Sequence, residues 1–264
     1  MSRKKGGKNL KLAGLFIILV LGLIILSTLF KFLLTVKASK FDGSHNFTVG
    51  FIGKNATKVV SFSPQNRSIS ILDVNVKDSS NNLSKFLEVP IDGTIISQNP
   101  NENNISSILF KSAFSLDKSL KNLSALDAFR LFLFSKTVSP NNIVQRQLLP
   151  EFNDAQKSTI ILLSLTDPSI YQENQSIQII NAADVHGAGA RLATLITNIG
   201  GNVVLISTSD ETIQNSKIVY YGNESYTVKK LSSYLDFPIV KADKRGMADV
   251  IITIGKDKAG SLKF

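Results

Sequence analysis

The chain has 264 residues, a formal net charge of +10 and no cysteine. That length leaves room for a membrane segment and one or two small domains, and the missing cysteine excludes disulfide frameworks and thiolate chemistry. Residues 1–37 carry Arg3, Lys4, Lys5, Lys8, Lys11, Lys31 and Lys37 with no acid, which leaves +3 for the other 227 residues, so the basicity marks the N-terminus and not a nucleic-acid surface.

Residues 12–30 form a run of 19 uncharged residues, mostly leucine and isoleucine. At 1.5 Å per residue it covers about 28 Å, close to the hydrocarbon thickness of a bilayer. A transmembrane helix is expected over residues 12–36, with Lys31 snorkelling near its far end. The cations of residues 1–11 should hold the N-terminus in the cytoplasm and leave residues 38–264 outside it. The competing reading is a signal peptide cleaved after Ala38, but such signals use a shorter apolar run.

Short strands are then expected over residues 47–52, 58–63 and 68–76, with a hairpin turn at Ser63-Pro64-Gln65-Asn66-Arg67. Residues 77–84 read as a polar turn, residues 86–97 as one or two strands broken at Pro90, and residues 98–104 as a loop. Helices are expected over residues 105–120 and 125–136. In the second, Leu126, Phe129, Leu131, Phe132, Leu133 and Phe134 occupy more than one face, which predicts deep burial. Residues 158–165 form a buried strand or helix that periodicity does not decide, broken by Asp167-Pro168. Residues 170–175 read as a linker.

Residues 176–207 are the most informative stretch. A β-branched strand at 177–180 enters a turn of small residues, 181–189. A helix follows with Leu192, Leu195, Ile196 and Ile199 on one stripe. Gly200 and Gly201 stop it, because glycine enters the left-handed region without a Cβ clash. Further strands are expected at 202–207, 217–221 and 249–254, with a helix capped by Asn223 or Ser225 running to about residue 235. The order β-α-β-β-α-β predicts a ferredoxin-like sheet of four antiparallel strands, both helices on one face. The fold class is α/β of the α+β type, divided into a basic N-terminus (1–11), a transmembrane helix (12–36), a middle domain (46–166) and a C-terminal domain (176–256).

Gly187-Ala188-Gly189 before a helix suggests a phosphate cradle, but the dinucleotide fingerprint needs a third glycine where Leu192 stands. A weaker anion site at the helix start would draw on Asn181, His186, Gly187, Gly189 and Arg191. The plainer reading is favoured: the glycines let the turn pack closely on the sheet. His45 and His186 are the only histidines, so no metal site is expected, and neither a triad spacing nor a cofactor motif stands out. No aromatic RNA-binding motif is present, so no nucleic-acid partner is expected.

The same stretch resembles the C-terminal domain of LytR-CpsA-Psr cell-envelope proteins. The resemblance lies in residues 177–182, 187–192 and 200–204, and continues through Ile218-Val219-Tyr220-Tyr221 and Asp249-Val250-Ile251-Ile252. An N-terminal signal anchor is also that family's architecture. Its catalytic members carry a phosphotransferase module that moves a glycopolymer from a polyprenyl-pyrophosphate carrier onto peptidoglycan, using clustered arginines, aspartates and usually a divalent metal. Residues 69–76 and 87–94 resemble two early strands of that module. The second leads toward a Pro-Arg-Asp motif, where Pro90 and Asp92 are kept and Ile91 replaces the arginine. A pyrophosphate needs several cationic donors and isoleucine offers none. The resemblance therefore implies a reduced, non-catalytic module and an envelope protein that binds a wall polymer, peptidoglycan or a protein partner. The alternative, a divergent phosphotransferase, requires Arg67, Asp92, Arg130 and Arg146 to converge on one pocket.

Overall fold

The computed structural model describes residues 6–54, 56–74, 83–97, 100, 105–115 and 119–260. It opens with a long helix, α1 (Gly6–Ala38). The 25 residues Ala13–Lys37 have a mean hydropathy of 2.8 with 0% of the most apolar window buried. The helix is long and apolar enough to cross a membrane, and the leucines and isoleucines between Leu15 and Leu34 find no cover among the described residues.

A meander of β1 (Phe47–Ile52), β2 (Thr57–Ser63) and β3 (Ser68–Val74) follows, antiparallel throughout. The expected turn closes its second hairpin, with Arg67 in the left-handed region at φ 45°. The chain continues through α2 (Leu83–Leu87), β4 (Gly93–Ile96), α3 (Ile105–Phe114), β5 (Leu120–Lys121), α4 (Ala125–Thr137) and β6 (Ile143–Leu148). Among the described residues these strands form one sheet in the order β5-β4-β1-β2-β3-β6. Val60, Phe62, Ile69 and Ile71 point to the side of α3 and α4. Val59, Leu72 and Val74 point the other way, as alternation along a strand requires.

Three expectations change here, and one left open is decided. Residues 83–87 are helical, so the strand expected over 86–97 shrinks to β4; most of the 77–84 turn lies outside the described residues. β6 has no counterpart among the expected strands, because IVQRQL is largely exposed as the edge of the sheet and shows little apolar alternation. The undecided stretch is a helix, α5 (Asp154–Leu165), set by a capping box between Asn153 and Gln156. The supposed linker is α6 (Pro168–Glu173), with Asp167 as N-cap and Pro168 in the first turn, where a missing N–H costs nothing.

The second sheet contains β7 (Ser176–Asn181), β8 (Asn202–Thr208), β9 (Lys217–Tyr221), β10 (Ile239–Ala242) and β11 (Val250–Ile254), in the order β10-β9-β11-β7-β8. α7 (Ala188–Asn198) links β7 to β8, α8 (Tyr226–Leu235) links β9 to β10, and α9 (Lys256–Ala259) ends the described chain. The α/β class stands, but a four-stranded antiparallel sheet does not. β7 and β8 are direct parallel neighbours, as are β9 and β10, and β11 lies between the two βαβ units, parallel to β7 and antiparallel to β9. A split βαβ unit would place another strand between its parallel pair. The difference comes from β10, the short edge strand after Phe237-Pro238, which gives α8 its own return strand.

Leu192, Leu195 and Ile196 of α7 and Val228, Leu231 and Leu235 of α8 cover Ile177, Ile179, Ile218, Val250 and Ile252. The same apolar cluster reaches Leu87, Leu165, Leu72 and Val59, so one core runs from the second sheet through the helices to the first. Among the described residues no helix covers the opposite face of the second sheet. Register places Val240, Val219, Ile251, Gln178 and Leu205 in one row across all five strands there.

Candidate functional site

The meander sheet and α8 meet at a cleft of about 450 Å³. Lys40, two residues beyond α1, forms part of its wall. Ser84, Asp92, Thr94, Lys121 and Asn122 come from α2, β4, β5 and the segments beside them, and Lys230, Ser233 and Tyr234 from α8. One face of α8 is apolar and buried, so the residues between those positions are left to face the cleft.

Asp92 is held from two sides. Its Oδ2 accepts the Thr48 N–H at 2.8 Å and its Oδ1 accepts the Lys230 ammonium at 2.7 Å. Both side chains of that ion pair are 18% exposed, deep enough for the contact to pin α8 against β4. Three lysines against one aspartate leave the cleft positive by two charges. The Tyr234 hydroxyl donates to Ser84 Oγ at 2.5 Å, and Ser84 in turn donates to the Val89 carbonyl. Burial raises the Tyr234 pKa and the Asp92 charge adds to the shift, against a smaller opposing effect of Ser84, so Tyr234 stays a neutral phenol. Cations beside neutral hydroxyls and an amide can hold an anionic, hydroxyl-rich ligand.

A second polar group supports α8 from below. The Tyr226 hydroxyl donates to Asp167 Oδ2 at 2.7 Å, and its ring stacks on His45 at 4.2 Å. Glu173 accepts the N–H groups of Tyr226 and Thr227 at 2.9 and 2.8 Å. Asp167 is only 3% exposed. Burial raises its pKa, partly opposed by the Tyr226 hydroxyl, the Lys230 charge and backbone N–H groups. A folded value above the unfolded one stabilises at low pH, and that contribution is lost as pH rises through the folded value. Asp167→Asn keeps the cap oxygen for the Ser169 N–H, and its amide N–H can donate to the Tyr226 hydroxyl oxygen in place of the bond that Asp167 accepts. The variant is expected to gain in melting temperature relative to the parent between pH 4 and pH 8, measured by thermal unfolding.

The candidate residues of the 181–191 turn stay together but away from the cleft, and none of them lines it. The Asn181 amide donates to the Val185 carbonyl at 2.9 Å, which ties up the turn. Gly187 adopts φ 76° as the N-cap of α7. A Cβ on Gly189 would lie 3.2 Å from Ile206 Cγ2, so this glycine permits the close approach of helix and sheet. His186 and Arg191 are exposed. Of the alternative set only Asp92 lines the cleft. Arg146 lies on β6, four strands from β4, or about 19 Å at the usual strand spacing. Arg67 sits in the β2–β3 turn, where its carbonyl accepts from Asn142. Arg130 donates to Ser39 Oγ and the Phe41 carbonyl, both at 3.0 Å. Among the described residues no group of three His, Asp or Glu side chains could hold a metal.

Residues 174–257 match a family model described as LytR cell envelope-related transcriptional attenuator. They form a LytR-type C-terminal domain. The match begins just ahead of β7 and ends in α9, so it contains the whole second sheet and both of its covering helices. The resemblance of residues 46–166 to a phosphotransferase module lies outside the matched stretch. No curated protein and no solved structure matches the chain. The LytR-type domain contributes Lys230, Ser233 and Tyr234 to the cleft. Sequence reading missed these together with Lys40, Ser84 and Lys121, because isolated lysines and hydroxyls in polar segments far apart in the chain carry no local pattern.

Proposed function

We propose that the chain is a single-pass, membrane-anchored cell-envelope protein, with its N-terminus in the cytoplasm and residues 38–264 outside, that binds an anionic stretch of an envelope polymer. The observation that carries this reading is the cleft, where Lys40, Lys121 and Lys230 converge with neutral hydroxyls at the edge of the LytR-type domain. Its position two residues beyond a membrane-length helix suits a polymer assembled or held at the membrane surface. Binding rather than transfer is favoured by Asp92, whose two oxygens are committed to Thr48 and Lys230, and by a lining that, among the described residues, contains no arginine.

Full-length protein in detergent is expected to retain a purified phosphate-bearing wall polymer more tightly than neutral glycan strands, with retention falling as salt rises. Reversing the two lysine charges not paired with Asp92, Lys40→Glu with Lys121→Glu, should weaken retention by roughly tenfold or more, about 1.4 kcal/mol. Failure of the parent to retain any envelope polymer sinks the reading. Release of polyprenyl phosphate from a carrier-linked polymer by the full chain would establish the phosphotransferase alternative instead.

A further inference from the structure

The outer face of α3 and α4 is not buried as the apolar pattern of α4 predicts. Phe114 is 66% exposed, Leu133 48% and Phe110 45%, while Phe129 and Phe132 are half-buried beneath them. The four phenylalanines form a connected cluster, with ring centroids 5.0 Å apart for Phe110 and Phe114 and 5.1 Å for Phe110 and Phe132. Phe114 and Phe129 lie at 5.8 Å and Phe129 and Phe132 at 6.3 Å. Except for the fully buried Asp127, α3 and α4 contain no acid, and Lys111, Arg130 and Lys136 belong to the same two helices. The Lys136 ammonium lies 5.6 Å from the Phe132 ring centroid. Exposed aromatics among cations, with no exposed anion on the two helices, match the composition of a surface that rests in a bilayer interface.

The place of this patch identifies what covers it. The Asp127 carboxylate accepts Ser39 Oγ–H at 2.7 Å and the N–H groups of Lys40 and Phe41 at 2.8 Å each. Arg130 binds Ser39 and Phe41 from the next turn. Phe41 is itself buried in the core beside Phe47 and Phe134. The first turn of α4 is therefore clamped to the three residues that leave α1, with no slack. Phe129, Phe132 and Leu133 lie within about two helical turns of that clamp, roughly 10 Å, comparable with the headgroup zone on one side of a bilayer, about 5–8 Å.

We propose that the α3–α4 face lies in the headgroup and upper acyl region of the same bilayer that α1 enters, with Phe110, Phe114, Phe129, Phe132 and Leu133 inserted and Lys111, Arg130 and Lys136 reaching the lipid phosphates. This second contact fixes the rotation of the folded part about the anchor and sets the mouth of the lysine cleft, which includes Lys40, at the lipid surface. The proposal rests on α1 spanning the membrane.

The chain contains no tryptophan, so a single introduced indole reports without background. Full-length Phe114→Trp and Leu133→Trp are reconstituted in vesicles containing phosphatidylglycerol and lipids brominated at shallow or deep acyl positions. Phe16→Trp in α1 reports the anchor, and Tyr171→Trp on α6, 68% exposed, reports a water-facing site. The expected result is blue-shifted emission from the Phe114→Trp and Leu133→Trp variants, with shallow-bromine quenching at least roughly threefold above that of the Tyr171→Trp variant. Unquenched, water-like emission from both patch variants, with the Phe16→Trp variant quenched, overturns the proposal and leaves the anchor standing. A blue shift without bromine quenching that grows with protein-to-lipid ratio also overturns it, since a second copy then covers the face. Absence of quenching in the Phe16→Trp variant overturns it through the anchor reading on which it rests.

Discussion

Replacing Asp127 with alanine is expected to cost about 3–5 kcal/mol. Asp127 is fully buried. One of its oxygens accepts from Ser39, Lys40 and Phe41, and the other accepts from the N–H and hydroxyl of Ser124, closing the capping box of α4. Alanine would leave the N–H groups of Lys40, Phe41 and Ser124 without this partner, and each unsatisfied donor costs about 1–3 kcal/mol. Burial by itself would raise the Asp127 pKa. The hydrogen bonds from Phe41, Ser124 and Ser39 outweigh it and hold the group below its ordinary value. A lowered folded value gives stabilisation that is full above the unfolded value of about 3.9 and is lost as pH falls through the folded one. Urea unfolding at pH 7 and pH 3 checks both statements: the alanine variant should be much weaker at pH 7, and the gap should narrow in acid. Equal unfolding midpoints at pH 7 would mean that the clamp between the end of α1 and α4 carries no free energy.

Leu195→Ala should cost about 2–5 kcal/mol, the range for removing a fully buried leucine side chain whose cavity does not collapse. Leu195 belongs to the apolar cluster that continues from the LytR-type domain through Leu165 and Leu87 to the meander sheet. Asn198, three residues on, donates to the carbonyls of Leu87 and Glu88 at 3.3 and 3.2 Å, so α7 is tied to the first half of the chain by polar bonds as well. The loss should therefore appear in both halves. Hydrogen exchange at β1–β3 is expected to accelerate together with exchange at β7 and β11, because a shared core unfolds as one cooperative unit. Acceleration confined to β7–β11 would show that the two sheets unfold independently.

Much of the secondary structure is legible in the sequence because its signals are local. The strands of the meander, the turn at 63–67, the helix stripe Leu192-Leu195-Ile196-Ile199 and its glycine stop all depend on spacings within one or two turns of chain. The errors have local causes too. Asp167-Pro168 reads equally as a helix breaker and as an N-cap followed by proline at the first helical position. Ile239 and Val240 are too few to announce an edge strand, and without β10 the pattern of the second sheet points to the wrong pairing. The phenylalanines of α4 read as core because periodicity records which faces are apolar, not what covers them. Phe134 does pack on Phe41 and Phe62, whereas Leu133 is left exposed.

By itself the sequence determined the membrane-length helix, the α/β class and the LytR-type resemblance, since each rests on composition or on short-range pattern. It also favoured packing over a phosphate cradle at the Gly187–Gly189 turn, because a missing third glycine is visible without coordinates; the close approach is at Gly189, while Gly187 has open space and supplies a φ of 76°. Only the tertiary structure decided which charged groups meet. Lys40, Asp92, Lys121 and Lys230 stand on four separate segments, and their convergence follows from β4 pairing with β1 and from the shared core that presses α8 against that edge. The same holds for the clamp of Asp127 on residues 39–41, a contact that spans 88 positions between Ser39 and Asp127. Side-chain chemistry is written in the sequence, but the distances that turn it into a site are set by long-range packing.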